Sequence, residues 1–129
     1  MRKLYVLLMF LLVAMGLALY PSCTKDYLVP VVIDIPDTVS FSQYITPIFN
    51  ANCTESGCHS SGGVAPDLTE GEAFNNLWLY GLVDTIDDLS SIVYVRMSST
   101  SDPMPPSGKL PGGEEQLVLK WIEQGAMDN

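Results

Sequence analysis

The sequence predicts an all-α domain, and three features lead to it. Apolar residues recur at helical intervals in several segments after residue 40. Clusters of Gly, Pro and Ser separate those segments. Nothing demands a sheet; only residues 89–97 are rich enough in β-branched side chains to admit a strand.

The first helix starts at Ser40, a good N-cap residue. Phe41, Ile45, Ile48 and Phe49 then mark one apolar face, and Pro47 is expected to kink it. This helix delivers the chain to Cys53. Residues 60–66 form a flexible loop. Thr69-Glu70-Gly71-Glu72 has the form of a capping box ahead of a second helix with Ala73, Phe74, Leu77 and Trp78. A third helix is expected through Leu89, Ile92, Val93 and Val95 to about Met97, with Asp87 or Asp88 as its cap. Pro103, Pro105, Pro106 and Gly108 make residues 98–110 turn and loop. The last helix runs from Glu114 to Gln124, is ended by Gly125, and buries Leu117, Val118, Trp121 and Ile122.

The first 22 residues read as an export signal rather than as part of the domain. Arg2 and Lys3 precede an uncharged run from Leu4 to Tyr20. That run is 17 residues long, against the roughly 20 that a membrane span needs. An uncleaved signal anchor is the alternative. Cys23 follows at the position of a lipid-bearing cysteine, with the small residue Ser22 before it. Leu19 lies one place further upstream than usual, and Pro21 is an unusual neighbour. The stretch from Leu19 to Cys23 resembles the loose lipoboxes of Bacteroidetes-type lipoproteins. That resemblance implies an acylated Cys23, since each buried CH₂ of an acyl chain contributes about 0.8 kcal/mol to anchoring. The expected organisation is a lipoprotein signal peptide over 1–22, a lipidated Cys23 with an extended tether over 23–39, and one domain over 40–129. Pro30 and Pro36 make the tether extended. The protein is expected to be exported and anchored in the bacterial envelope, on the periplasmic side or in the outer membrane.

Residues 23–129 hold four basic and 15 acidic residues, a formal charge of −11. Such a surface repels nucleic acid. It attracts a basic partner at low salt, although acidity also serves plain solubility.

A domain this small has a thin core and usually needs a staple. The cysteines supply the candidate. Cys53-Thr54-Glu55-Ser56-Gly57-Cys58-His59 places two thiols with four residues between them, followed at once by the only histidine of the chain. Two such thiols can add across the vinyl groups of a haem, and the adjacent His can then reach the iron. The usual spacing has two residues between the cysteines, so the loop here is longer, and Gly57 gives it freedom to turn. A Cys53–Cys58 disulfide with an incidental His is the rival reading. A zinc site is weaker still, because it needs four ligands and only three Cys or His candidates lie here, Cys53, Cys58 and His59.

The expected sixth iron ligand is Met104. It lies in Asp102-Pro103-Met104-Pro105-Pro106, where prolines stiffen the loop and reduce the entropy lost on fixing the sulfur. Met97 falls on the third helix, where core packing explains it. Met127 lies two residues from the end. Arg96, the one arginine after residue 22, either pairs with a haem propionate or faces solvent. Trp121 is expected in the core.

The Cys53–His59 motif, the Met104-Pro105-Pro106 loop and the terminal stretch from Glu114 to Ala126 together resemble a small class I c-type cytochrome. The likeness is to the four-spacer variety of Bacteroidetes and Planctomycetes, and covers residue 40 to the end. The resemblance implies a cytochrome c-like fold of short helices around one covalent haem c, with first and last helices crossing beside it. It implies that the Pro66 carbonyl accepts the Nδ1–H of His59, which orients the ligand. It also implies a carrier of single electrons between redox partners and no enzyme, because both axial positions are filled. A haem enzyme or gas sensor with an open sixth position, and a haem-free disulfide-bonded binding lipoprotein, are the alternatives.

Overall fold

The computed structural model describes residues 2–6, 8–9, 34–108 and 110–129. Cys23 and most of the expected signal and tether lie outside these residues. Residues 2–6 and 8–9 are helical and exposed. No helix among the described residues is long and apolar enough to cross a membrane.

The protein is all-α over the described residues, with helix in 48% of them and no strand. A π-helical turn, Phe41–Ile45, runs into α1 (Thr46–Asn52). Then follow α2 (Ala73–Leu79), a 3₁₀ turn (Asp88–Ser90), α3 (Ile92–Ser98), a second 3₁₀ turn (Pro111–Gly113) and α4 (Glu114–Glu123).

Pro47 acts differently from the expected kink. Ser40 caps the segment, its hydroxyl accepting from the Gln43 N–H at 3.3 Å. The helix then widens so that the Thr46 N–H bonds the Phe41 carbonyl five residues back. Proline has no N–H to offer the preceding turn, so the wide turn comes before it and the α-helix restarts with Pro47 in its first turn.

Two expected caps are not formed. The Thr69 hydroxyl donates to Asp67 Oδ1 at 2.6 Å instead of capping α2. Gly71 adopts φ +89°, which breaks the helical phase inside the expected box, and α2 starts only at Ala73. Neither Asp87 nor Asp88 caps α3 through its side chain. The residue before α3 is Ser91, which is buried; its hydroxyl donates to the Asp84 carbonyl at 3.0 Å and accepts the Asp84 N–H at 2.9 Å. The helical reading of residues 92–98 holds over the strand reading. Val93 and Met97, four apart, are buried together while Val95 is exposed.

The core lies where the π turn meets α4, and the two pack on each other. Phe41 is 5.1 Å from Trp121 and 5.4 Å from Phe74 between ring centroids. Ile45, Val118, Trp121 and Ile122 are all buried to 1% exposure or less. The Trp121 Nε1–H donates to the Met127 carbonyl at 2.8 Å, which assigns this ring to the core. Past α4, the Ala126 N–H bonds the Trp121 carbonyl and the Gly125 N–H bonds the Ile122 carbonyl, the Schellman closure that Gly125 at φ +93° permits. The end of the expected tether is fastened to the domain: Val39 is buried, its N–H donates to Gln124 Oε1 at 2.9 Å, and the Gln124 amide donates to the Asp37 carbonyl.

Candidate functional site

The loop after α1 is built around His59. The Cys53 N–H still bonds the Phe49 carbonyl at 2.8 Å, so Cys53 is carried on the end of the helix. The His59 N–H donates to the Cys53 carbonyl at 2.9 Å, and the His59 carbonyl accepts from the Leu68 N–H at 2.8 Å. Thus the backbone of His59 is held from both sides. Its ring is held as well: Nδ1 lies 3.1 Å from the Val64 carbonyl and 3.1 Å from the Pro66 carbonyl. Both oxygens can only accept, so Nδ1 carries a proton and Nε2 is the ring nitrogen left for a metal. That is the state a metal-ligating imidazole needs.

The acceptors are themselves fixed. The Val64 N–H donates to the Cys58 carbonyl at 2.8 Å. Asp67, next to Pro66, accepts from the hydroxyl and backbone N–H of Thr69, and these bonds hold its carboxyl below its usual range.

Met104 comes from the opposite strip of chain. Its N–H donates to the Arg96 carbonyl at 2.9 Å. The Arg96 guanidinium forms an ion pair with Asp102, and the Asp102 N–H donates to the Ser99 hydroxyl at 3.0 Å. The Arg96 side chain, on α3, is partly exposed, pairs with an acid of the loop that follows the helix and also lines a cavity.

His59 and Met104 face the same space. A cavity of about 170 Å³, partly open to solvent, has both in its lining with Cys53, Pro66 and Arg96. Its remaining wall is apolar: Phe49 from α1, Leu68, Leu77 from α2, Leu82, and Ile92, Val93 and Met97 from α3. A second cavity of about 190 Å³ is also lined by Cys53, His59 and Met104, and adds Cys58, Val64 and Pro106. Three of the sequence-predicted residues therefore belong to both spaces, and Cys58 and Pro66 to one each. Met97, the alternative thioether, lines the first cavity but is otherwise core, at 3% exposure. Met127 is exposed and lines neither.

Both cysteines are free thiols, Cys53 half-buried and Cys58 exposed. Burial, then the nearby Glu114 carboxylate and Cys58, push the Cys53 thiol up to about 11. At neutral pH the free side chain is a thiol rather than a thiolate. Among the described residues no three His, Cys, Asp or Glu side chains come together as a metal-binding group. Glu114 accepts from the Asn52 amide at 3.0 Å, tying the end of α1 to the start of α4 beside Cys53. Partial burial raises the Glu114 carboxyl above its usual range, against the pull of that hydrogen bond.

A haem fits these residues on their donor chemistry. An imidazole whose Nδ1–H is already committed, a thioether and the Cys53 thiol line one cavity with mostly apolar walls, and the Cys58 thiol lines the second space that shares these three residues. Sequence reasoning missed the Val64 carbonyl, the Arg96–Asp102 pair and the Asn52–Glu114 link. None has a local signal, because each joins residues that only the fold brings together. It also passed over Gly63, visible only as half of a Gly-Gly pair. No protein-family model, curated protein or solved structure matches the chain.

Proposed function

We propose that the chain is a mono-haem c-type cytochrome, anchored to a bacterial envelope membrane through Cys23, that carries single electrons between redox partners. One observation carries the reading: His59, its Nδ1–H committed to two carbonyls, Met104 and the free thiol of Cys53 line one largely apolar cavity, and the same three line a second space together with the free thiol of Cys58. The packing of the first helical turn on α4 is consistent with the crossing of first and last helices in the class I cytochrome fold.

When bound, haem supplies a one-electron couple. The protein's residues do the rest. Cys53 and Cys58 would hold the haem through thioethers, each S–H adding across one vinyl C=C. His59 would ligate the iron through Nε2, with the Val64 and Pro66 carbonyls fixing the ring and raising its basicity. Met104 would supply the second protein ligand, and a Met/His pair would raise the potential and leave no position for substrate. The apolar wall keeps water off the couple.

A visible spectrum of protein made in a host with haem-attachment machinery tests the assignment. The expected result is a Soret band, a low-spin ferric form and a weak band near the red end that Met104→Ala abolishes. That substitution should also lower the reduction potential by on the order of 0.1 V or more, within the ~0.8 V range that axial ligands command. A high-spin ferric wild type means an open sixth position and a sensor or enzyme. The absence of any Soret band means the disulfide-bonded reading.

The partner is a redox protein with a basic docking surface, because residues 23–129 carry −11. A brief encounter relies on charge steering more than on buried area. Stopped-flow reduction by a cationic and an anionic small reductant should therefore favour the cation at low salt. The preference should shrink at ~0.15 M salt, where the screening length is about 8 Å. Equal rates at low salt would reduce the acidity to a solubility feature.

A further inference from the structure

We infer that Arg96 and Asp102 are positioning residues that hold the Met104 loop against α3 and so set how firmly the Met104 sulfur is presented to the iron. The inference rests on the reading of Met104 as sixth ligand. Its own ground is the way the loop is fastened.

Pro103, Pro105 and Pro106 flank Met104 and have no N–H. Within residues 103–106 the backbone therefore has a single donor, the Met104 N–H, and this is spent on the Arg96 carbonyl at 2.9 Å. One bond fixes a point and leaves the loop free to pivot about it. The second fastening comes from the same residue, since the Arg96 guanidinium pairs with Asp102, two places before Met104. Asp102 is held in turn by its N–H to the Ser99 hydroxyl at 3.0 Å. Residues 96–104 thus close a ring with Arg96 at its root, and both Arg96 and Met104 line the cavity.

The pair is partly open to water, with side-chain exposures of 34% for Arg96 and 70% for Asp102. Exposed ion pairs are weak, so losing this one should change the Met104–iron affinity by about two- to five-fold and no more.

The test uses the ferric holoprotein and titrates imidazole, which replaces the Met sulfur and removes the red band. Arg96→Gln and Asp102→Asn should each lower the half-displacing concentration about two- to five-fold, and the double variant should lower it no further. Arg96→Lys, which keeps the charge, should recover at least half of the loss and covers the case in which Arg96→Gln folds poorly. Added salt at ~1 M should move the wild type towards the variants, where the screening length is about 3 Å. The urea midpoint of the domain should stay put, which separates positioning of the ligand from support of the fold. Additive effects of the two single changes, or no change in either, overturn the latch. An effect of Arg96→Gln without one of Asp102→Asn also overturns it, because Arg96 then acts through some other group. A wild type without the red band overturns the Met104 reading and the latch with it; a wild type with the band and indifferent variants overturns the latch alone.

Discussion

Haem should remain on the wild-type chain through denaturing electrophoresis and acid-organic extraction, and should be fully extractable from the Cys53→Ser/Cys58→Ser double variant. Thioethers survive both treatments, whereas axial ligation does not survive unfolding. The two single variants should differ. Cys53 sits on the end of α1, is packed against the core, and lines both cavities. Cys58 is exposed and lines only the second. Cys53→Ser should therefore cost more of the holoprotein yield than Cys58→Ser, which leaves the better-anchored thioether in place. His59→Ala should keep the covalent link and lose the low-spin spectrum. Haem that leaves the wild-type chain in organic solvent would remove both cysteines from the account.

The parts of this protein that were legible in its sequence are those governed by short-range rules. The apolar stripe of α4 and its Gly125 stop depend on spacing along one helix, and Leu117, Val118, Trp121 and Ile122 are buried as a set. The Ser40 cap is similarly local. The failures are also physical. Thr69-Glu70-Gly71-Glu72 fits the capping-box pattern, but Asp67 offers the Thr69 hydroxyl a better partner and Gly71 leaves the helical region. Asp84 fixes the turn before α3 by accepting the N–H groups of Ile86 and Asp87, and these bonds lower its carboxyl. That leaves the buried Ser91, not an aspartate, at the head of the helix.

The candidate site divides along the same line. Cys53, Cys58 and His59 stand side by side in the chain, so their association needs no fold. Met104 is 45 positions beyond His59 in the numbering, and its proline-rich surroundings gave only a reason to single it out. That both line one cavity is a property of the packing of α1, α2 and α3. The Val64 and Arg96 carbonyls are backbone groups, which every residue has, and no side-chain pattern could have distinguished them.

Gly63 leads to the second large effect. A Cβ built on Gly63 would run into the Cys58 carbonyl and come within 3.0 Å of the Ser60 carbonyl. Both obstacles are backbone, so neither can swing aside as a side-chain tip would. The Cys58 carbonyl is also the acceptor of the Val64 N–H, and the Val64 carbonyl is one of the two that hold His59 Nδ1. Gly63→Ala must therefore displace the chain between the second cysteine and the ring of its histidine. Overpacking of this kind costs about 1–3 kcal/mol. For a domain this size that corresponds to a fall in Tm on the order of 10 °C. Gly62→Ala is the control: Gly62 adopts φ +76° but has open space around its Cβ position, so it suffers backbone strain without collision. Gly63→Ala should keep its covalent haem and show a mixed-spin ferric spectrum together with the lower Tm, because His59 loses one of the carbonyls that aim it. Gly62→Ala should lose some stability and keep a wholly low-spin spectrum. If the two variants are alike in spin state, the tight approach of Gly63 to Cys58 has no part in orienting His59, and the Pro66 carbonyl alone suffices.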